Sequence, residues 1–127
     1  MTRRALRSGR DLLFKSEAIR GLLTAPRVSV VPAAPAWLLG ACAFEGRAVS
    51  VIDIVSLEDD TVVNPESPVV ILVATPAGLI GISADALPRD PATAADVAGG
   101  RTLVVDAAAL AERISLALFE CGFPPQG

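Results

Sequence analysis

The sequence has no histidine and no tyrosine, and it contains one tryptophan, four phenylalanines and two cysteines in 127 residues. Histidine is the usual general base and a very common metal ligand, so its absence removes the centre of many hydrolases and zinc proteins. With few aromatic rings, the chain also lacks the platforms on which single-stranded nucleic acids stack. A net charge of −3 argues further against binding to phosphate backbones. We therefore expect no catalytic residue, cofactor, metal site or nucleic-acid partner.

Long apolar runs are also missing, because no stretch approaches the roughly 20 residues that span a membrane. The first ten residues contain four basic side chains and no acid: Arg3, Arg4, Arg7 and Arg10. The apolar run that follows, residues 12–14, is too short for a signal peptide. We predict a frayed basic segment over residues 1–11, with weak attraction to an acidic partner or a lipid surface as the alternative. A cytoplasmic protein without membrane insertion is expected.

The two cysteines, Cys42 and Cys121, lie far apart in the sequence and match no metal-ligand spacing. Isolated cysteines in a cytosolic protein are usually reduced and behave as small buried hydrophobic residues. We expect this state for both thiols. A disulfide between them requires a fold that brings the two residues together.

The apolar content of 52% and charged content of 20% predict a compact fold rather than disorder. The length suits a single domain, which we place at residues 12–122, followed by a tail at 123–127. Residues 48–55 form a strong predicted strand because β-branched side chains dominate them. Residues 69–74 and 79–83, separated by a Thr-Pro-Ala-Gly turn, predict a β-hairpin. Residues 16–23 fit either a helical turn or a strand.

The C-terminal region predicts a helix that begins after Asp106, whose side chain is suited to capping free backbone N–H groups. Apolar residues follow at helical spacing and line one face: Leu110, Ile114, Leu118 and Cys121. Gly122 and Pro124 are typical of the residues that end a helix.

A short pattern occurs twice, 53 residues apart. Residues 51–57 and 104–110 each contain a β-branched pair, then Asp, then Leu four residues later. The repetition indicates two similar units in which a strand leads into a helical turn. Two related β-subdomains would explain it, and so would a coincidence between apolar strands.

A resemblance to a known family rests on the order of apolar residues, glycines, prolines and acids. The matching positions are residues 19–23, residues 28–32, Pro35, Gly40, Gly46, Val49, residues 51–53, Leu57, residues 69–73, Gly81, Asp85, Gly100, Arg101, residues 103–105 and Leu110. Over about residues 12–115 this order resembles the CheW-like domains. The resemblance implies a mainly β fold of two SH3-like β-subdomains with a C-terminal helix.

The resemblance also implies a function, that of a non-catalytic adaptor in bacterial chemotaxis. Such proteins link a CheA-type histidine kinase to methyl-accepting chemoreceptors. We expect this chain to act through strand edges and an apolar groove between its subdomains. The positions that the resemblance assigns to partner binding are Ile19, Gly40, Glu45, Gly46, Arg47, Asp53 and Asp85. Structural roles compete at several of them: Gly46 fits a turn that needs a positive φ, Asp53 fits a helix cap, and Ile19 fits a core position.

The sequence departs from the family pattern in three respects. Glu45 stands where the family commonly has Arg before the turn glycine, with Arg47 two residues later, and Ser50 stands where Pro is usual. Little chain precedes Leu12 to form a first strand, and the region between Asp85 and Gly100 is short. We therefore predict that one subdomain is incomplete and leaves a strand edge exposed.

These departures leave open a second function, that of a divergent CheW-like module that binds one partner without coupling, or serves another two-component pathway. A β-barrel that binds a small ligand is a third possibility.

Trp37 is expected in the core, and an exposed Trp37 would be a binding hot spot. The acids Glu58, Asp59 and Asp60 are expected to lie in a solvated loop and not at a metal site.

Overall fold

The computed structural model describes residues 2–59, 66–87 and 102–120, which form eight strands, a 3₁₀ turn and two helices. The strands are β1 Thr2–Arg7, β2 Arg10–Lys15, β3 Ile19–Thr24, β4 Leu38–Phe44, β5 Arg47–Ile52, β6 Val69–Thr75, β7 Gly78–Ala84 and β8 Thr102–Val105. The 3₁₀ turn is Ser16–Ala18, and the helices are α1 Ile54–Asp59 and α2 Ala107–Glu120. The mainly β fold with a C-terminal helix is therefore confirmed.

The larger sheet has five strands in the order β3-β6-β7-β5-β4. Its two edge strands approach each other, since a Cβ added at Gly21 on β3 would lie 3.4 Å from the ring of Phe44 on β4. The segment after β3 also pairs with β4, through Ser29 and Ala41, which exchange backbone hydrogen bonds of 2.8 and 2.9 Å. The sheet therefore curls into a barrel.

The smaller sheet has three strands in the order β1-β2-β8 and is built from the two ends of the described chain. Strand β1 pairs with β2 along its whole length, and Ala5 on β1 is fully buried. The expectation of a frayed segment over residues 1–11 is wrong at this point. The prediction treated the arginines as a solvated run, whereas the Ser8-Gly9 turn, with φ of 52° and 75°, folds them into a hairpin.

Strand β6 explains why residues 69–74 are continuously apolar. Its side chains alternate between two cores, so both faces of the strand are buried. Val70 and Leu72 point into the barrel, beside Leu39, Cys42, Val49 and Val51. Ile71 and Val73 point out of it, against the small sheet and both helices. This second core contains Trp37, so the expected core position of that side chain is confirmed.

The predicted hairpin and the repeated pattern are also confirmed. Strands β6 and β7 pair from Val69 with Ala84 to Thr75 with Gly78. Each copy of the repeated pattern contains the end of a strand, then the aspartate, then the start of a helix. Asp53 Oδ1 accepts hydrogen bonds from the N–H groups of Val55 and Ser56, and Asp106 Oδ1 accepts one from Ala109.

The two sheets share more than this local pattern. In the small sheet, the β1-β2 hairpin is followed by β8, which runs parallel to β2 and leads into α2. In the large sheet, the β6-β7 hairpin pairs with β5, which runs parallel to β7 and leads into α1. Each unit is therefore a hairpin, a parallel strand and a helix. The large sheet adds β3 beside β6 and β4 beside β5.

Residues 16–23, which fitted either a helical turn or a strand, form the 3₁₀ turn and most of β3. Within the described residues, no helix is both long enough and apolar enough to cross a bilayer. Along α2, Leu110 and Ala117 are buried and Ile114 is half-buried. Cys121, Gly122 and Pro124 lie outside the described residues.

Cys42 is a free thiol buried in the barrel, where burial raises the pKa of that thiol. The thiolate is the reactive form, and the raised pKa lowers its population, while burial keeps reagents away. Both the raised pKa and the burial therefore slow alkylation of Cys42. In a Cys121→Ser variant at pH 8, we expect Cys42 to react at least about 100-fold more slowly in buffer than in denaturing urea. Mass spectrometry measures the rate of alkylation in each solvent. Equal rates in buffer and in urea would contradict the buried position of Cys42.

Candidate partner-binding surface and a buried ion-pair network

The turn between β4 and β5 is the most exposed group of predicted site residues. Glu45 and Gly46 have φ of 49° and 77°, as expected for a tight turn between paired strands. A Cβ added at Gly46 would touch nothing within 4 Å, so the glycine is required by its backbone conformation and not by a close neighbour. Glu45, Gly46 and Arg47 are all exposed, and they place an acid and a base at one end of the barrel.

The outer face of the β4-β5 hairpin continues this surface with small side chains. Ala43 on β4 pairs with Ala48 on β5, and Ala41 pairs with Ser50. Ala43, Ala48 and Ser50 are exposed. We call residues 43 and 45–50, with the buried Val49 excluded, the hairpin surface. It carries charges only at its tip.

Gly40 lies inside the fold and not on the hairpin surface. It is buried in β4 with φ of 150°. A Cβ at this position would collide with the backbone carbonyl oxygen of Ser29, on the segment that closes the barrel. Gly40 therefore allows two backbone segments to approach closely.

Ile19 begins β3 at an irregularity in the pairing of β3 with β6. Its side chain is half-buried and packs against the core between the barrel and the small sheet. The core role and a surface role are both compatible with this position, because part of the side chain remains accessible.

Asp53 and Asp85 are brought together by a residue that the sequence analysis did not select. The guanidinium group of Arg7 donates to Asp53 Oδ2 over 3.0 and 3.3 Å, and to Asp85 Oδ1 over 2.9 Å. Arg7 has no exposed surface, and the side chain of Asp53 is 2% exposed, whereas that of Asp85 is 37% exposed. We call Arg7, Asp53 and Asp85 the ion-pair network.

The ion-pair network connects three separate parts of the chain. Arg7 ends β1, Asp53 lies between β5 and α1, and Asp85 follows β7. Arg7 also donates to the carbonyl oxygen of Glu66 over 2.8 Å, and the N–H of Ser8 donates to Asp85 Oδ2 over 2.8 Å. Charge-assisted hydrogen bonds of this kind are stronger than neutral ones. The network therefore joins the small sheet to the barrel.

The predicted site residues thus fall into three groups with different roles. Glu45, Gly46 and Arg47 form an exposed tip, Asp53 and Asp85 belong to the ion-pair network, and Gly40 and Ile19 lie at separate positions in β4 and β3. Asp53 has both oxygens engaged inside the protein, one by Arg7 and one as the cap of α1.

A sequence signal for Arg7 did exist. Ser8-Gly9 directly follows Arg7, and a Ser-Gly dipeptide commonly marks a turn, so the sequence indicated a turn at this point. The buried partners of Arg7 had no such signal, since they lie 46 and 78 residues away.

The acids after β5 do not form a metal site in the described structure. Glu58 is exposed near the end of α1, and Asp60 lies outside the described residues. Within residues 2–59, 66–87 and 102–120, no three potential metal-ligating side chains converge.

A family model for the CheW-like domain matches residues 7–90 of the chain. The chain belongs to the CheW-like domain family. The match includes the hairpin surface and all three residues of the ion-pair network, so both features lie in the part of this CheW-like chain that defines the family. Members of the CheW family are non-catalytic scaffold proteins of chemotaxis.

A solved structure shares the fold at low sequence identity. The scaffolding protein TtCheW from Thermoanaerobacter tengcongensis superimposes with a TM-score of 0.60 and 13% identity. The alignment covers 68% of this chain and 60% of TtCheW, so the chain spans about three fifths of that protein's length. No curated protein sequence matches the chain.

Proposed function

We propose that this CheW-like chain is a cytoplasmic adaptor that binds a CheA-type histidine kinase and a methyl-accepting chemoreceptor, and couples one to the other. The observation that carries the proposal is the family match over residues 7–90 together with the barrel that this segment forms. The protein acts by contact and performs no bond-making chemistry. It would work at receptor arrays, without insertion into the membrane.

The hairpin surface is the part of the molecule best suited to partner contact. It is exposed, and its two strands pair from Leu38 with Ile52 to Phe44 with Arg47. The charged tip provides specificity, since like charges brought together across an interface cost several kcal/mol. Ile19 and Asp85 contribute as partly exposed positions, whereas Gly40 and Asp53 support the surface from inside the fold.

Titration of the purified chain against two fragments tests the proposal. One fragment is the regulatory domain of a CheA-type kinase, and the other is the signalling tip of a chemoreceptor. We expect binding to both with dissociation constants below about 50 μM, which is typical of transient signalling contacts. If the chain binds neither fragment at that concentration, the proposal is refuted.

Glu45 discriminates between a coupling adaptor and a divergent module that binds one partner. If Glu45 faces a basic group of a native partner, Glu45→Arg weakens binding by about tenfold or more, because it reverses a contact charge. Glu112→Arg is a matched control, as Glu112 is also an exposed acid but lies on α2. Kinase activity in reconstituted receptor arrays is the functional measurement. Coupling by Glu45→Arg but not by the native chain would favour the divergent module.

A further inference from the structure

Helix α1 follows the large sheet in the sequence, but its contacts lie at the boundary between the two units. The helix has only six residues, and isolated helices as short as this are not stable in water. Its buried apolar side chains, Ile54, Val55 and Leu57, all pack in the second core, between the barrel and the small sheet. None of the three belongs to the core inside the barrel. Contacts with the other unit are therefore needed to keep α1 helical.

The small unit, which we define as β1, β2, β8 and α2, contacts both ends of α1 through arginines. At the start of α1, Asp53 caps the helix with Oδ1 and accepts from Arg7 of β1 with Oδ2. Near the other end, Arg113 Nη2 of α2 donates to the carbonyl oxygen of Leu57 over 3.1 Å. The last carbonyl groups of a helix have no acceptor role within it, so this bond satisfies one of them. Each end of α1 therefore depends on an arginine of the small unit.

The barrel, in contrast, has a core and a closure of its own. The described side chains inside it all come from the chain between the start of β3 and the end of β7. The hydrogen bonds between Ser29 and Ala41 that close it involve no residue of the small unit. Proteins open in cooperative parts, and the parts with fewer supporting contacts open first. Detachment of the small unit would therefore remove the supports of α1 and leave the barrel closed.

We propose that the small unit detaches from the barrel as one body and that α1 unfolds whenever it does, so that α1 is a conformational switch held closed by Arg7 and Arg113. The switch also reaches the hairpin surface. The N–H of Asp53 donates to the carbonyl oxygen of Trp37 over 2.8 Å, at the base of the β4-β5 hairpin. A partner that holds the small unit closed would thereby order α1 and the base of that hairpin together. The switch goes beyond the proposed coupling function and does not depend on it.

Hydrogen exchange of the full native chain, followed by mass spectrometry, tests whether α1 opens with the small unit. We expect the hydrogen-bonded amides of β1, α1 and α2 to share one protection factor, because they open in one step. This factor should be at least about tenfold lower than that of β6, which belongs to the barrel. If α1 is protected as strongly as β6, it opens only when the barrel unfolds, and the proposal is wrong.

Arg113→Met removes the contact at one end of α1 and shows how far the effect extends. Loss of a hydrogen bond from a charged donor changes an opening equilibrium by about tenfold or more. We expect β1 and β2, which Arg113 does not contact through any described hydrogen bond, to lose protection by the same factor as α1. Glu112→Met is the control, because Glu112 is exposed on the same helix and should change neither. Loss of protection in α1 alone would show a local contact and refute the proposal.

A disulfide that prevents detachment provides a test that depends on a gain of protection. Leu6 of β1 and Ala86 after β7 lie opposite each other in an antiparallel bridge, within disulfide range. In a background with Cys42→Ala and Cys121→Ser, oxidation of the variant with Leu6→Cys and Ala86→Cys should raise the protection of α1 at least about tenfold. Reduction of the same sample should reverse the gain.

A second disulfide serves as the matched control, because it lies within the barrel and leaves the small unit free. In the same background, Ala43→Cys and Ala48→Cys join two paired residues of the β4-β5 hairpin. Oxidation of this variant should leave the protection of α1 unchanged. The proposal is wrong if the disulfide between positions 6 and 86 does not slow exchange in α1. It is also wrong if the disulfide between positions 43 and 48 slows that exchange equally.

Discussion

Replacing Arg7 with methionine is expected to lower the free energy of unfolding by about 3–5 kcal/mol, the cost of removing one partner from a buried ion pair. The side chain has no contact with water, and it donates to Asp53, Asp85 and the carbonyl of Glu66. Methionine fills similar space but leaves the carboxylate of Asp53 buried without its cation. Urea denaturation followed by circular dichroism measures the change.

Arg3→Met is the matched control for Arg7→Met. Arg3 lies on the same strand and is exposed, so the same substitution there should change stability by less than about 0.5 kcal/mol. Equal effects of the two substitutions would show that Arg7 contributes no more than a surface arginine.

A second variant separates the ion pair from the helix cap, because Asp53 serves both. Asparagine caps helices about as well as aspartate, so Asp53→Asn keeps the cap of α1 and removes the charge. In the double variant with Arg7→Met, the loss should be smaller than the sum of the two single losses by about 0.5–3 kcal/mol, since the residues interact directly. Additive losses would argue against a direct interaction.

The features that the sequence predicted correctly are those that neighbouring residues determine. The β6-β7 hairpin follows from a Thr-Pro-Ala-Gly turn between apolar runs, and the caps at Asp53 and Asp106 follow from residues two or three positions away. The repeated pattern at residues 51–57 and 104–110 is likewise local. Each of these predictions needs only backbone geometry and short-range hydrogen bonds.

The features that the sequence did not predict depend on distant residues. Strand β1 is held by its pairing with β2, by burial of Ala5 and by the pairing of Leu6 with Ala86. An arginine-rich segment gives little sign of such burial, because arginine is rarely buried without a partner and the partners of Arg7 are remote. For the candidate surface, the turn at residues 45–47 was predictable locally. The internal position of Asp53 was predictable only as a cap.

Replacing Gly40 with alanine is expected to have a comparably large effect for a different physical reason. The added Cβ would collide with the carbonyl oxygen of Ser29, a backbone atom that cannot rotate away as a side chain would. Relieving the collision requires breaking the two hydrogen bonds between Ser29 and Ala41. Two backbone hydrogen bonds and the strain at φ of 150° together correspond to about 2–5 kcal/mol.

Gly46→Ala separates the collision from the backbone strain. Gly46 also has a positive φ, but its added Cβ meets nothing within 4 Å, so its substitution should cost only about 1–2 kcal/mol. A cost at Gly40 no larger than at Gly46 would show that the Ser29 segment adjusts freely. If the difference is found, Gly40→Ala should also weaken partner binding at the hairpin surface, because β4 forms one side of that surface and depends on the Ser29 segment for barrel closure.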